Sequence, residues 1–525
     1  MKRLSKCAAG AIVIFALNGS LLSQEKPVVK PQVVHALQLI SPANLKGDLS
    51  FLASDALQGR WTPSPGLDIA AEFIASQFRA AGLQPAGDQD YFQIANMVDR
   101  QMPPVQSEMT LLEGAQSTTV AAQNINVGDT NAAAKIDRAP VIVLKAKDPA
   151  LLNGLDLKGK ALVVPGPTPQ ERRDMDVYIK MRSFDEAVAK SGAALEITVM
   201  QPRAGGQAGA RLIEAEDARG ERTPTITASS DELQRWIDHA GQDAEPRTVS
   251  FEIPAPEDKN VVVKNVIGVL PGSDPALKNT YVMLTAHYDH LGTTETAGRA
   301  AGNHKPGGND RIYNGANDDG SGTVSVIEIA KALGSLTPHP KRSMVFMTFF
   351  GEERGLLGSQ FYGRHPRFPV AQTVADLNLE QVGRTDSTEG PQIDNASLTG
   401  YDYSDVTRYL EAAGRAVGVK VYMNKQASDP YFMRSDNAAL AALGVPAETL
   451  CVAFDYPDYH GLGDEWPKVD YNNMAHVDRM VALGLLHIAN STTTPQWNAA
   501  NPKTQPYREA RQKSRHDEGG RPGTS

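Results

Sequence analysis

Cysteine is almost missing: the 525 residues hold two, Cys7 and Cys451. Cys7 falls in a stretch that reads as a leader, so the mature chain keeps only Cys451 and must hold its fold by packing rather than by disulfides. An excess of positive charge is missing too. Lys and Arg number 52 against 61 Asp and Glu, a formal net charge of −9, which gives no electrostatic reason to bind DNA, RNA or an anionic membrane surface. After the first twenty residues no long apolar run occurs, so no membrane anchor is expected. What is present is globular in character. Hydrophobic residues at 41% and charged residues at 22% exclude disorder of the whole, and the length suffices for two domains.

Lys2, Arg3 and Lys6 precede an apolar stretch from Cys7 to Leu17 and small or polar residues from Asn18 to Ser23. This is the pattern of a secretory signal peptide over residues 1–23, and it predicts export to the periplasm or the medium. Lys6 directly before Cys7 argues against lipid attachment. Pro27 to Val34 reads as a linker and Pro42 to Leu83 as helical, with Ile69, Phe73, Ile74 and Phe78 on one face and Gly82 as C-cap. Residues 109–253 change to short β-branched runs between Gly- and Pro-containing turns, with a helix near Phe184 to Ser191, which predicts a β-rich insert.

From Asn260 onward, apolar runs at Tyr281 to Ala286, Ser343 to Phe350, Val374 to Glu380 and Ala447 to Val452 read as buried strands. Helical stretches at Thr323 to Gly334, Tyr403 to Val417 and Met474 to Asn490 alternate with them. The alternation predicts an α/β domain: a mixed, mostly parallel sheet sandwiched by helices, with functional residues at the strand ends. Residues 24–108 and 254–492 would form this domain, and 493–525, poor in large apolar residues, would be a disordered tail.

Chemistry gathers at those strand ends. His287, followed by Tyr288 and Asp289, is placed to bind a metal while a carboxylate fixes its tautomer; a structural histidine is the plainer alternative. The run Asn314-Gly315-Ala316-Asn317-Asp318-Asp319-Gly320-Ser321-Gly322 sets two carboxylates among glycines, equally suited to bridging cations or to capping a helix. Glu352 and Glu353 follow a buried strand, where two adjacent carboxylates are costly unless a cation or a shared proton offsets their repulsion. Successive side chains point apart, so one can bind metal while the other serves as general base. Glu380 and the pair Tyr459-His460 complete the pattern. His287, Asp318, Glu353, Glu380 and His460 are a nitrogen and oxygen set that zinc accepts, and five ligands with a shareable aspartate suggest two metals.

These motifs, in this order, resemble the co-catalytic zinc exopeptidase family that includes aminopeptidase Y, the bacterial leucyl aminopeptidases and glutamate carboxypeptidase II. Leu52-Ala53-Ser54-Asp55 and Gly59-Arg60 are similar to the N-terminal part of bacterial members, and the insert with Leu157-Lys158-Gly159-Lys160 resembles a protease-associated domain. The resemblance implies a phosphorylase/hydrolase-like fold and two zinc ions, one held by His287 and Glu380, the other by Glu353 and His460, with Asp318 bridging. It implies Glu352 as general base, Asp289 as the orienter of His287, Tyr459 as an oxyanion stabiliser, and a cis bond from Asp318 to Asp319. Glu380 departs from the aspartate usual in aminopeptidases of the family, and Arg434-Ser435-Asp436-Asn437 lacks a histidine that many relatives have. The expected activity is hydrolysis of N-terminal residues of peptides by a metal-bridging water. A carboxypeptidase or dipeptidase, a single-zinc acyltransferase like the glutaminyl cyclases, and a non-catalytic binding relative are the alternatives.

Overall fold

A computed structural model of the chain describes residues 29–168, 170–171, 175–200, 211–242, 245–297 and 309–519; the leader predicted over 1–23 lies outside them. The apolar runs form the centre of a ten-stranded sheet. Tyr281–His287 lies between Ser343–Phe349 and Thr373–Leu379, and Ala447–Cys451 follows the latter, all four parallel. On one flank Glu257–Leu270 runs antiparallel to Ser343–Phe349 and pairs in turn with Phe92–Gln101. On the other, Asn395–Leu398 is antiparallel to Ala447–Cys451.

Both faces of the centre are covered, and this is why those runs are apolar at every position rather than at every second one. Val282 and Leu284 point into one core and Met283 into the other, as the two-residue period of a strand requires. Helices Gly322–Gly334, Val406–Val417 and Tyr471–Asn490 pack on the first face. Because the central strands are parallel, their C-terminal ends reach one edge of the sheet together, and His287 and the residue before Glu380 stand there.

A second sheet of eight strands, from Met109–Glu113 to Arg247–Ile253, has its own core around Met109, Ile197, Trp236 and Phe251. One strand from this stretch, Arg211–Glu214, leaves it and pairs with Phe92–Gln101 at the edge of the central sheet.

Three expectations are corrected. Residues 493–519 are ordered and not a disordered tail. Their apolar residues are few but large: Trp497 and Tyr507 stack with ring centroids 4.9 Å apart and pack on Phe432, and the Arg511 guanidinium donates to the carbonyls of Val370 and Thr373 at 2.8 Å. The stretch read as a linker contains the start of helix Pro31–Leu39, begun by proline at its first position and anchored by buried Ala36 and Leu37. In helix Pro65–Ala80 the buried face runs through Leu67, Ala70, Ile74 and Phe78, which leaves Ile69 47% exposed.

Candidate metal centre

His287 closes its strand, Glu352 and Glu353 follow Ser343–Phe349 across Gly351, and Glu380 follows Thr373–Leu379. Asp318 belongs to the turn before helix Gly322–Gly334, and its bond to Asp319 is cis. That turn starts at Gly315 with φ 56°, where a Cβ would come within 2.4 Å of both the Asp318 carbonyl oxygen and the His290 ring. Only glycine fits there.

Two buried carboxylates tie these segments together: Asp319, from the run singled out in the sequence, and Asp464, which the sequence did not single out. Asp319 Oδ2 accepts the main-chain N–H of His287 at 3.3 Å, while its Oδ1 accepts those of Gly322 at 3.0 Å and Gln381 at 3.1 Å. Asp464 accepts the N–H of Asn317 at 2.9 Å, that of Asp318 at 3.0 Å and the Tyr456 hydroxyl at 2.9 Å. Two strand ends, the Asp318 turn and the segment of Asp464 are thereby held in fixed relation.

The two oxygens of Asp318 face different histidines: Oδ1 lies 3.3 Å from His287 Nε2 and Oδ2 3.2 Å from His460 Nε2. His460 Nε2 is also 3.3 Å from Glu353 Oε2. His287, Asp318 and Glu380 can offer ligand atoms within 4.8 Å of one another, and so can His290, Asp318 and Glu353. His290 was missed by sequence reasoning, although its place three residues after His287 was a visible signal. Its Nδ1 lies 2.8 Å from Glu353 Oε1, yet His287 Nε2, both His290 nitrogens and Glu353 Oε1 are buried without a hydrogen-bond partner among the described residues. Lone pairs of imidazole and carboxylate that converge in a buried place, unsatisfied by protons, fit a divalent cation of zinc's ligand preference.

The electrostatics follow from burial and neighbours. Burial pushes the Glu352 carboxyl well above the usual range, with Glu380 and Glu353 adding to it against the opposite pull of His287. Burial pushes Glu380 up as well. It also acts upward on Asp318, but His287 and His460 beside that carboxylate hold it well below the usual range. Glu352 Oε2 stands 4.0 Å from His287 Nε2, and its main-chain N–H donates to Asp289 Oδ1 at 3.0 Å. Asp289 Oδ1 is 3.4 Å from His287 Nδ1, so one carboxylate touches both the histidine and the backbone of the glutamate.

Beside these groups is a cavity of about 130 Å³ reached by Asp318, Glu352, Glu380 and Tyr459. Tyr431 and Phe454, stacked at 5.8 Å between centroids, also line it, as does Arg434, given no role from sequence. Tyr459 stacks on His460 at 4.1 Å, and burial holds its phenol far above the ordinary range, so it stays a neutral donor.

A vacuolar membrane protease of Phaeosphaeria nodorum is 24% identical over 246 residues, which are 45% of this chain and 22% of that protein. Leupeptin-inactivating enzyme 1 of Streptomyces exfoliatus is 25% identical over 208 residues, 38% of this chain and 39% of that enzyme. The alignments thus span well under half of either relative. In fold, the chain is similar to an aminopeptidase from Aneurinibacillus sp. strain AM-1, with TM-score 0.52 and 19% identity over 87% of this chain and 96% of that one. The family model described as peptidase family M28 matches residues 265–484, the stretch that carries every strand-end group above. Over these residues the chain is similar to peptidase family M28.

Proposed function

We propose that the chain is an exported aminopeptidase that uses two zinc ions to remove N-terminal residues from peptides. The observation that carries this reading is Asp318, whose two oxygens face two separate histidine and carboxylate groups, with Glu352 alongside. His287 and Glu380 would hold one ion, Glu353 and His460 the other, and Asp318 both. When bound, the ions would supply Lewis acidity to the scissile carbonyl and acidify the attacking water.

The chain's own groups account for the remaining chemistry. Glu352, raised in proton affinity by burial, takes a proton from the water as its oxygen bonds to the carbonyl carbon, then returns it to the amine nitrogen as the C–N bond breaks. Asp289 holds base and histidine in one register. Tyr459, kept neutral, can donate to the oxyanion. The small cavity suits a single side chain, in keeping with removal of one residue at a time. The β-rich stretch 109–253 supplies none of these groups and fits a non-catalytic protease-associated role. The choice of the amino terminus rests on likeness to proteins named as aminopeptidases.

The test is a panel of aminoacyl-naphthylamides, free and N-acetylated, assayed beside metal analysis of the same preparation. Cleavage of the free compounds by protein carrying two zinc equivalents is expected. Equal cleavage of acetylated compounds, or full activity without metal, overturns the reading.

A further inference from the structure

We infer that Arg60 is a positioning residue of the metal centre: its guanidinium fixes the distance between the segment that carries His287 and the turn that carries Asp318. Arg60 lies outside residues 265–484 and is 1% exposed. Its Nε donates to the Tyr288 carbonyl at 2.8 Å, Nη1 to those of Leu52 at 2.6 Å and Asn314 at 2.7 Å, and Nη2 to that of Gly315 at 2.9 Å. In return, the Arg60 carbonyl accepts the main-chain N–H of His290 at 3.3 Å. One side chain therefore bonds the residue after His287, the two residues that open the Asp318 turn, and the end of helix Pro42–Leu52.

This cation is buried unlike most. Among the described residues it makes no ion pair, and its donors go to main-chain carbonyls. Its compensation comes from those dipoles and, at longer range, from Asp289, Asp464, Asp319 and Asp318, against a burial that lowers its proton affinity to about 10. It stays charged at neutral pH, and its field favours the carboxylates that surround the metal centre. The backbone is bent to place it. Gln58 and Arg60 take φ 49° and Gly59 takes φ 68°, in the left-handed region, which is costly for a residue with a Cβ. A Cβ on Gly59 would stand 2.3 Å from the Gly292 carbonyl oxygen and 2.5 Å from that of Tyr313. Strain kept at one point, next to a planar fork that reads carbonyls from three segments, is the arrangement of a spacer. Lysine offers donors from a single nitrogen and cannot span them.

This inference rests on the metallopeptidase reading, and the experiment separates the two. Zinc binding to metal-free wild type, Arg60→Lys and Arg60→Gln is measured by competition with a chromophoric chelator, and the cobalt-substituted absorption spectrum is recorded with circular dichroism as the check on folding. Folded Arg60→Gln is expected to bind at least one equivalent about tenfold or more weakly, the scale of lost outer-shell support, with an altered cobalt spectrum and partial recovery in Arg60→Lys. Wild-type affinity and spectrum in either folded variant overturn the proposal. So does failure of both variants to fold, since Arg60 would then determine the fold rather than the spacing. A wild type that binds no metal sinks the metallopeptidase reading instead.

Discussion

Glu353 Oε1 lies nearer to His290 Nδ1, at 2.8 Å, than Glu353 Oε2 lies to His460 Nε2, at 3.3 Å. The carboxylate is thus divided between two histidines, one of them fully buried and the other on a loop where it takes φ 53°.

His290 should therefore influence the metal centre although it was absent from the ligand set expected from sequence. His290→Ala is expected to weaken binding of one zinc equivalent by about 10- to 100-fold, the range of outer-shell effects, with secondary structure retained. Chelator competition checks this, and unchanged affinity would reduce His290 to packing.

The metal itself is expected at two zinc equivalents per chain. Removal by chelation should abolish hydrolysis and lower Tm, because a ligand bound only by the folded state stabilises it. Zinc or cobalt should restore both. Calorimetry before and after metal return is the measurement.

The two adjacent glutamates should divide their work. Glu352→Gln keeps shape but loses the basic oxygen, so kcat should fall at least about 100-fold with zinc content near wild type. Glu353→Gln should lose metal. The assignment is reversed if the first variant loses zinc and the second keeps it.

How much of this could be read beforehand depended on how local each signal was. Buried parallel strands are continuous apolar runs, so the edges of Tyr281–His287 and Thr373–Leu379 were legible to within a residue, and the acidic and histidine residues at their ends stood out. His290 was masked by its closeness to His287, since three residues on an irregular segment do not say which way a ring points. Arg60 and Asp464 act through main-chain groups of distant segments, and no local pattern announces such bonds. Ile69 misled because the apolar stripe of its helix was read from large residues, while small Ala70 and Ala71 occupy the buried face. The last thirty residues misled because average composition hides two aromatic anchors, Trp497 and Tyr507.

Stability should also fall as pH rises. Burial pushes Asp376, Glu448 and Asp478 each up to about 8, far above the ordinary value near 4. Between those limits the folded state binds more protons than the unfolded one, so stability present below about pH 4 is lost progressively as pH climbs toward 8. Thr285 donates to Asp376 Oδ1 at 3.1 Å while Oδ2 has no hydrogen-bond partner among the described residues. Asp376→Asn should gain in Tm relative to wild type as pH goes from 5 to 8; a constant difference would show that Asp376 is already ionised when folded.

Deleting 109–253 should leave zinc content intact, since none of the proposed ligands lies there. It would also remove Arg211–Glu214 and bare the edge of Phe92–Gln101, which should promote self-association visible by size-exclusion chromatography. Loss of metal in a folded deletion variant would contradict this.

That borrowed strand bears on the order in which the molecule can assemble. Gln101 and Glu257 are paired residues, yet the whole second sheet is synthesised between them. Joining two strands across so long a gap carries a loop-closure cost that slows non-local pairing. A second sheet that has already folded brings Met109–Glu113 and Arg247–Ile253 side by side and so delivers both partners to each other. The intervening domain then serves as the clasp through which the catalytic sheet closes, and refolding of that sheet is expected to wait for it.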